Sequence, residues 1–343
     1  MRPATTSQRG LPLNVLVTGA GTQTGQCVLR CLRDDKSVRL IATDISHRAT
    51  GLFWAALPYV SPHWQDQDRY MATIREICTE HNVQVLFPGT DPEARILTFN
   101  NHWRPTHHVQ LACSSPEVWN ITGDKLATVS MAHKLGVAAP HSMPYTPESV
   151  AAIANKWGWP VVIKPRCSYG SRGIYYSYSE LNLPEVTQPA DYICQRYLDP
   201  TDNEYTVGAY FGAQGYSHAP DIMLAMRRTL YKGTTNSAEF IDATDFEPSV
   251  AAFGKDLDLR GYCNFQFISE SSIPHLIEIN ARFSSSVSVG LAVECNFPLT
   301  YINDYVYGQS PQKMMSKPGL VVLRYYDDFV ISRQDLERVV ERG

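Results

Sequence analysis

The amino-terminal third of the chain alternates short apolar runs with helix-forming segments, and this order restricts the fold more than any other feature. Leu13–Thr18 is an apolar run of strand length, residues 19–25 form a glycine-bearing turn into a helix, and Val38–Asp44 is a second strand. Strands that alternate with helices build parallel sheets. We therefore predict a Rossmann-like β-α-β unit, extended by a helix over 68–81 and a strand over 83–88.

The pattern of secondary structure changes near residue 116, where strands of the antiparallel type replace the strict alternation of strands and helices. A chain of 343 residues exceeds one ordinary small domain. We predict an α/β domain followed by an α+β, two-lobed unit. The expected boundaries are 1–115 for the Rossmann-like domain, 116–194 for a small lobe, 195–312 for a large lobe and 313–343 for a carboxyl-terminal strand and helix.

Composition narrows the class of function. The formal charge of −4 provides no polycationic face, which argues against nucleic acid or anionic membrane as a partner. No apolar run is long enough to span a bilayer and the first ten residues lack the apolar core of a signal peptide, so the expected location is the cytoplasm. Eight scattered cysteines without a C-x-x-C pair predict buried free thiols.

Oxygen donors recur on two strands of the carboxyl-terminal half. Side chains alternate along a strand, so Glu278 and Asn280 share one face while Ile277 and Ile279 point into a core. Gln266, on the neighbouring predicted strand, supplies a third oxygen. Oxygen-only donors suit Mg²⁺ held jointly with substrate phosphates, and Mn²⁺ is an alternative ion.

Lys164 ends an apolar strand and is followed by a loop that contains Ser168, Gly170, Ser171 and Gly173. Glycines let backbone N–H groups approach phosphate oxygens, and the lysine adds a positive charge, so the loop would suit a triphosphate. An ordinary hairpin turn with a surface lysine is the alternative. No G-x-x-x-x-G-K-[ST] motif occurs, so a nucleotide fold other than the P-loop is required.

Further charged residues follow at strand ends. Glu204 lies after a polar loop and is our candidate for the ribose hydroxyls, with a solvated surface glutamate as the alternative. Arg227 and Arg228 suit phosphate or carboxylate, but on a strand they point to opposite faces, so one of them is expected at the surface. We name Arg227 as a candidate catalytic residue and Arg228 as a candidate substrate contact.

The segment after the oxygen donors carries Arg282 and a run of serines at 284–286. It resembles a loop entering a helix, where free N–H groups and the arginine would hold a substrate carboxylate or an acyl phosphate. We take Ser284, Ser285 and Ser286 as substrate candidates. Simple N-capping is the alternative, although it would use only one or two of these hydroxyls.

The candidate residues occur in this order: Lys125, Lys164 with its glycine loop, Gln195 through Glu204, Gln266, and Glu278-x-Asn280-x-Arg282. This series resembles the ATP-grasp superfamily, especially its carbamoyl-phosphate-synthetase-like branch. The resemblance covers about residues 10–308. It implies a Rossmann-like domain followed by two lobes that clasp ATP between them.

The resemblance implies a role for each matching residue. Lys125 and Lys164 would contact the nucleotide, Glu204 the ribose, and Arg282 the reacting acyl phosphate. The adenine hinge would be Gln195, Arg196, Tyr197 and Leu198, the Mg²⁺ ligands Gln266, Glu278 and Asn280, and the acceptor pocket would include Asp91 and Glu93. Gln266, Gln195 and Ser285 depart from the residues usual in the family, and Ser285 replaces a second arginine.

We therefore predict an ADP-forming carboxylate-amine ligase that acts on small molecules such as amino acids, and the resemblance leaves room for a homodimer. Three alternatives remain open. Gly19-x-Gly21-x-x-x-Gly25 with Asp44 also matches an NAD fingerprint, although no Tyr-x-x-x-Lys pair occurs. A carbamoyl-phosphate-synthetase-like phosphorylating enzyme and a non-catalytic nucleotide-binding module are the others.

Overall fold

The computed structural model describes residues 12–100, 109–168, 172–214, 219–231 and 233–342. Their strands form three sheets of six, seven and four strands. All eight cysteines are free thiols, and six of them are buried, as expected, whereas Cys113 is half-buried and Cys167 is exposed. Among the helices of the described residues, none combines the length and apolarity needed to cross a bilayer.

The first part of the chain is the predicted parallel α/β unit. Its sheet has the order β3-β2-β1-β4-β5, with every pair parallel. The apolar runs form the strands because both faces of this sheet are covered, and three of the five β1 side chains are fully buried. The elements are β1 (Leu13–Val17), α1 (Gln23–Leu32), β2 (Val38–Asp44), β3 (Leu57–Val60), α2 (Gln67–Glu80), β4 (Val85–Phe87), α3 (Asp91–Phe99) and β5 (Gln110–Leu111).

The second part forms a small antiparallel sheet. Its strand order is β6-β9-β7-β8, and helix α6 packs against β7 and β9. Asp124 caps α5 by accepting from the Leu126 and Ala127 N–H groups, which places Lys125 at the first position of that helix. The elements are α4 (Pro116–Thr122), α5 (Lys125–Lys134), β6 (Ser142–Pro144), α6 (Pro147–Trp157), β7 (Val161–Pro165), β8 (Tyr175–Ser177) and β9 (Tyr192–Arg196).

The third part is built on a large antiparallel sheet of order β14-β13-β10-β11-β12. One face packs on α4, α5 and α7, and the other on α8 and the amino-terminal unit. The elements are β10 (Glu204–Phe211), β11 (Ile222–Tyr231), β12 (Thr234–Phe240), α7 (Glu247–Asp256), β13 (Gly261–Glu270), β14 (Ile273–Asn280), a 3-10 helix (Val287–Val293) and α8 (Phe297–Tyr307).

The carboxyl-terminal tail differs from prediction. β15 (Met314–Met315) pairs with β11, and β16 (Val321–Leu323) adds an edge strand beside β12. The helix predicted within 313–343 is a single turn, α9 (Arg333–Leu336), because residues that follow it form β17 (Val340–Glu341), which pairs with β3 of the first sheet. The tail therefore runs from the large sheet back to the amino-terminal unit.

Candidate active site

A cavity of about 890 Å³ lies between the small and large sheets and reaches the carboxyl ends of β1 and β4. Six side chains of cationic type line it among the described residues, against three carboxylates, so its walls carry a formal excess of three positive charges. The chain as a whole has a formal charge of −4. The cavity is thus suited to a polyanion. The charged lining residues are Asp91, Lys125, Lys164, Arg172, Arg196, Glu204, Arg228, Glu278 and Arg282.

Two buried lysines line this cavity. Lys125 at the start of α5 donates to the backbone oxygen of Ser168 at 2.9 Å and to its hydroxyl at 3.2 Å. Lys164 on β7 is only 4% exposed. Burial, followed by repulsion from Lys125, lowers the pKa of Lys164 to about 7, although the Glu278 carboxylate opposes the change. A surface lysine on a hairpin turn, the alternative reading of this loop, is therefore wrong.

The loop after Lys164 is described only in part. Gly170 and Ser171 lie outside the described residues. Gly173 has a φ of +72°, which a glycine adopts without strain, and Arg172 lines the cavity. Ser168 fixes Lys125, so its proposed phosphate contact would be shared with that lysine.

The hinge residues lie where the small sheet meets the large one. Gln195 is buried and its amide nitrogen donates to the Ser142 hydroxyl at 2.7 Å, while Arg196 pairs with Glu270 at 2.6 Å. Tyr197 and Leu198 follow and also line the cavity. Apolar side chains from both sheets face each other here, a setting suited to a flat aromatic base: Val162, Ile174, Leu198, Ile268 and Ile277.

Glu204 and Arg228 form an ion pair within the cavity wall. Arg228 donates to Glu204 Oε1 from Nε at 3.1 Å and from Nη2 at 2.6 Å, and also to Gln266 Oε1 at 2.9 Å. Both side chains are mostly buried, so Glu204 is no solvated surface group. Arg227 points to the opposite face and pairs with Glu239, outside the cavity. The catalytic role predicted for Arg227 is therefore wrong, since strand alternation turns it away from the site.

The oxygen donors line one wall, but the strand geometry differs from prediction. A β-bulge in β14 lets two residues, Ile277 and Glu278, face the cavity in succession. Ile277 thus leaves the predicted core position, whereas Ile279 is 2% exposed. In register, Gln266 lies opposite Glu278.

The donor set fits a magnesium ion shared with a nucleotide. The side chains of Glu278 and Asn280 accept no hydrogen bond from other described residues, while the Gln266 side-chain oxygen is held by Arg228. The described residues contain no group of three His, Cys, Asp or Glu that could hold a metal on its own. One carboxylate and one amide oxygen, completed by phosphate oxygens and water, suit Mg²⁺.

Arg282 links the two halves of the molecule. It forms a two-pronged ion pair with Asp91 at the start of α3, with a 2.9 Å bond from Nε to Oδ1 and a shorter one from Nη2 to Oδ2. Burial acts to lower the pKa of Arg282, but the charges of Asp91 and Glu278 outweigh it and raise the pKa. The arginine stays charged beside the oxygen donors.

Glu93 does not lie in the substrate pocket as expected. It is buried beneath the glycine turns, where it accepts from Tyr70 at 3.1 Å and Thr90 at 2.8 Å. Burial raises the pKa of Glu93 to about 7. The helical spacing explains the correction, because Asp91 faces the cavity while Glu93, two residues on, turns inward.

The serine run is a buried network. The Ser284 and Ser286 hydroxyls are 2.7 Å apart, and both contact Asn264 Oδ1, at 3.3 and 3.4 Å. No serine side chain caps the 3-10 helix that follows, so N-capping is not their role. The backbone oxygen of Ser285 accepts from Cys27 at 2.9 Å and from Arg324. All three serines line the cavity.

The amino-terminal glycine turn is filled by the protein itself. The Asp44 carboxylate accepts from the Gly21 N–H at 2.7 Å, so it is not free for a cofactor ribose. A Cβ at Gly25 would lie 2.2 Å from the Gly19 oxygen, and one at Gly51 2.1 Å from the Ala20 oxygen. These contacts make the glycines a structural turn, and the NAD-dependent oxidoreductase alternative has no support.

Two features of the cavity have no signal in the sequence. Its far end is lined by Thr22–Thr24, which lie within the glycine turn but were not predicted to face the site, and by His63–Gln65, which belong to no motif. Arg324 reaches the same end from the tail, 42 residues beyond Arg282. Only the path of the tail brings it there.

Two parts of the chain match known protein families. Residues 122–286 match the ATP-grasp domain family and residues 15–111 the PylC-like N-terminal domain. Among curated relatives are carbamoyl phosphate synthase large chains from Streptomyces avermitilis, 25% identical over 52% of this chain, and Methanothrix thermoacetophila, 24% identical over 51%. The chain spans only 17% of the length of either. The match over residues 122–286 confirms the resemblance to the ATP-grasp superfamily.

Solved structures show the same fold. N5-carboxyaminoimidazole synthetase from Staphylococcus aureus, complexed with ADP, aligns with a TM-score of 0.66 and 14% identity over 89% of this chain and 80% of that one. The biotin carboxylase domain of Hydrogenobacter thermophilus 2-oxoglutarate carboxylase, in complex with MgADP, ADP and bicarbonate, gives 0.65 and 14% over 88% and 70%. The predicted α/β domain and two-lobed ATP-grasp fold are thus confirmed.

Proposed function

We propose that this protein is an ATP-dependent, ADP-forming ligase that joins a small carboxylate to an amine through an acyl phosphate. The observation that carries the proposal is the placement of two buried lysines, Lys125 and Lys164, opposite Glu278 and Asn280 in a cavity with excess positive charge. Phosphoryl transfer depends on positioning and charge neutralisation, which this arrangement can supply.

Each wall of the cavity has a part in the reaction. The apolar residues near Leu198 hold the base, and Glu204 would accept from the ribose through the oxygen that Arg228 leaves unused. Lys125 and Lys164 bind the triphosphate. When Mg²⁺ is bound, Glu278 and Asn280 hold it, and it supplies charge neutralisation at the phosphate oxygens.

The chemistry proceeds in two balanced steps. A carboxylate oxygen of the substrate attacks the γ-phosphorus, the bond to the β-γ bridging oxygen breaks, and ADP leaves. The amine then attacks the acyl carbon, the bond from that carbon to the phosphate-bearing oxygen breaks, and phosphate departs with the proton lost by nitrogen. Arg282 lies beside the oxygen donors, where it would stabilise the negative charge on the acyl phosphate.

An ADP-release screen tests the proposal directly. The enzyme with Mg-ATP would be offered carboxylates, including bicarbonate and amino acids, in pairwise combination with amines, and products would be identified by mass. We expect ADP formation that requires both partners. Absence of acid-dependent ADP formation across a broad panel would overturn the ligase assignment, and thermal stabilisation by NAD but not by Mg-ATP would contradict the nucleotide assignment.

Glu278→Gln tests the proposed metal site with a side chain of nearly the same shape. It preserves shape and removes the single carboxylate beside Asn280, so we expect ADP formation to fall at least about 100-fold, since a catalytic charge contact is lost. Glu337→Gln, on the exposed tail, is the control. Unchanged turnover in Glu278→Gln would refute the metal assignment, and full activity loss in the control would show that the assay reports folding.

A further inference from the structure

The carboxyl-terminal tail brings one arginine to the far end of the cavity, beside the amino-terminal unit. Arg324 directly follows β16, and its Nη1 donates to the Thr235 backbone oxygen at 3.2 Å and to Gln23 Oε1 at 3.5 Å. Its Nη2 donates to the Ser285 backbone oxygen and contacts Cys27 Sγ at 3.6 Å. Three of these four partners line the cavity, so the guanidinium lies directly behind its wall.

The charge of Arg324 is not balanced by any residue that the structure describes. Arg196, Arg228 and Arg282, which line the cavity, each pair with a carboxylate at 2.6 Å or less. Among the described residues, no carboxylate lies within 4.0 Å of Arg324, and all its partners are neutral. Its Nε donates no hydrogen bond to them. A guanidinium held by neutral acceptors keeps its full attraction for an anion.

The position of Arg324 also sets a distance. Arg282 lies beside the oxygen donors, and Ser285 is held by Arg324. These two residues are three positions apart in the chain, which spans at most roughly 10 Å when extended. A substrate whose reacting carboxylate lies near Arg282 would place a second group, a few bonds away, near Arg324. Asp91, a carboxylate of the cavity wall, is already neutralised by Arg282 and is not available to pair with Arg324.

We propose that Arg324 is a specificity-determining residue that selects carboxylate substrates bearing a second anionic group, of the size of a four- or five-carbon dicarboxylate. The proposal rests on the proposed function, because the ligase reaction defines which carboxylate reacts. In this arrangement Arg324 keeps its four contacts to neutral groups, while its positive charge and its remaining Nε–H group attract the second anion. The tail thus completes the substrate pocket.

Paired ligands test the selection. In the presence of Mg and a non-hydrolysable ATP analogue, calorimetry would compare glutarate with pentanoate and succinate with butyrate on the intact protein. We expect the dianion to bind at least about tenfold more tightly, as one charge-assisted contact would provide. Arg324→Gln should remove this preference, and Arg324→Lys should retain part of it. Equal binding of the paired acids by the wild-type protein would overturn the proposal.

Kinetics and a control separate selection from folding. If ADP formation is found, Arg324→Gln should raise KM for the acid and leave KM for ATP and the melting temperature unchanged. Arg333 is an exposed arginine on the same tail, and Arg333→Gln should leave both KM values and the melting temperature unchanged. A parallel rise in both KM values would refute selection by Arg324. Dianion preference without any ADP formation would overturn the ligase function alone, whereas turnover without Arg324-dependent preference would overturn this inference alone.

Discussion

Lys164 provides the sharpest quantitative prediction, because its pKa should change when nucleotide binds. Burial and the charge of Lys125 lower the pKa of Lys164 from its ordinary 10.5 to about 7. At pH 8 about 0.9 of these side chains are therefore neutral, and at pH 6 about 0.1. A bound triphosphate would restore the charged form, so the protein should take up about 0.9 proton per ATP at pH 8 and about 0.1 at pH 6.

Calorimetry in buffers of different ionisation enthalpy measures this uptake. Lys164→Met removes the titrating group while keeping the buried stem, so the difference between the two proteins isolates the lysine from the titration of ATP. By linkage, the ATP association constant of the wild type should fall close to tenfold per pH unit above pH 8, relative to the variant. Equal proton uptake by both proteins at pH 8 would refute the reasoning.

The same group affects folding with a defined sign. The folded-state pKa of Lys164 lies below the unfolded value, so the unfolded chain binds more protons between about pH 7 and 10.5. The cost of burying the charge is complete below pH 7 and disappears above 10.5. Without nucleotide, Lys164→Met should therefore stabilise the protein more at pH 6 than at pH 9, which urea unfolding would measure.

The remaining predictions concern stability. Asp91→Asn leaves the mostly buried Arg282 without its carboxylate and should lower the free energy of unfolding in urea by about 3 kcal/mol. Asp34→Asn, at an exposed ion pair, should lower it by almost nothing, and similar losses in both variants would count against a stabilising Arg282–Asp91 pair. In the wild-type protein the free energy of unfolding should fall by up to about 3 kcal/mol as pH rises from 4.5 to about 7, because the pKa of Glu93 is raised in the folded state and the folded protein binds the extra proton in that window. Glu93→Gln should abolish this fall, and an unaltered pH profile of the variant would refute the prediction. Gly25→Ala should lower the melting temperature, because its Cβ would lie 2.2 Å from the Gly19 oxygen, and an unchanged melting temperature would show that the turn can adjust.

Local patterns predicted much of this molecule. The apolar runs around Leu13–Thr18 and Val38–Asp44 predicted a parallel unit, since strand and helix periods are encoded within a few residues. The spacing of Glu278 and Asn280 placed both on one cavity wall for the same reason. Alternation also predicted that Arg227 and Arg228 diverge, but it could not say which of them faces the cavity.

Other features needed the assembled structure. The bulge that turns Ile277 to the cavity arises from pairing between β13 and β14, and Glu93 is buried where it accepts a hydrogen bond from Tyr70, 23 residues away in sequence. The tail shows the limit most clearly. Its residues suggested a strand and a long helix, whereas pairing with β12 and β3 sets its shape.

The sequence alone determined the order of strands and helices and the chemical types that meet at the nucleotide, because these depend on short-range periodicity and on residue identity. Tertiary structure alone decided which charges are neutralised: Arg282 by Asp91, 191 residues away, and Arg228 by Glu204. It also left Arg324, at the far end of the cavity, without a carboxylate partner among the described residues. Charge balance depends on distances between segments remote in sequence, and only the folded chain sets those distances.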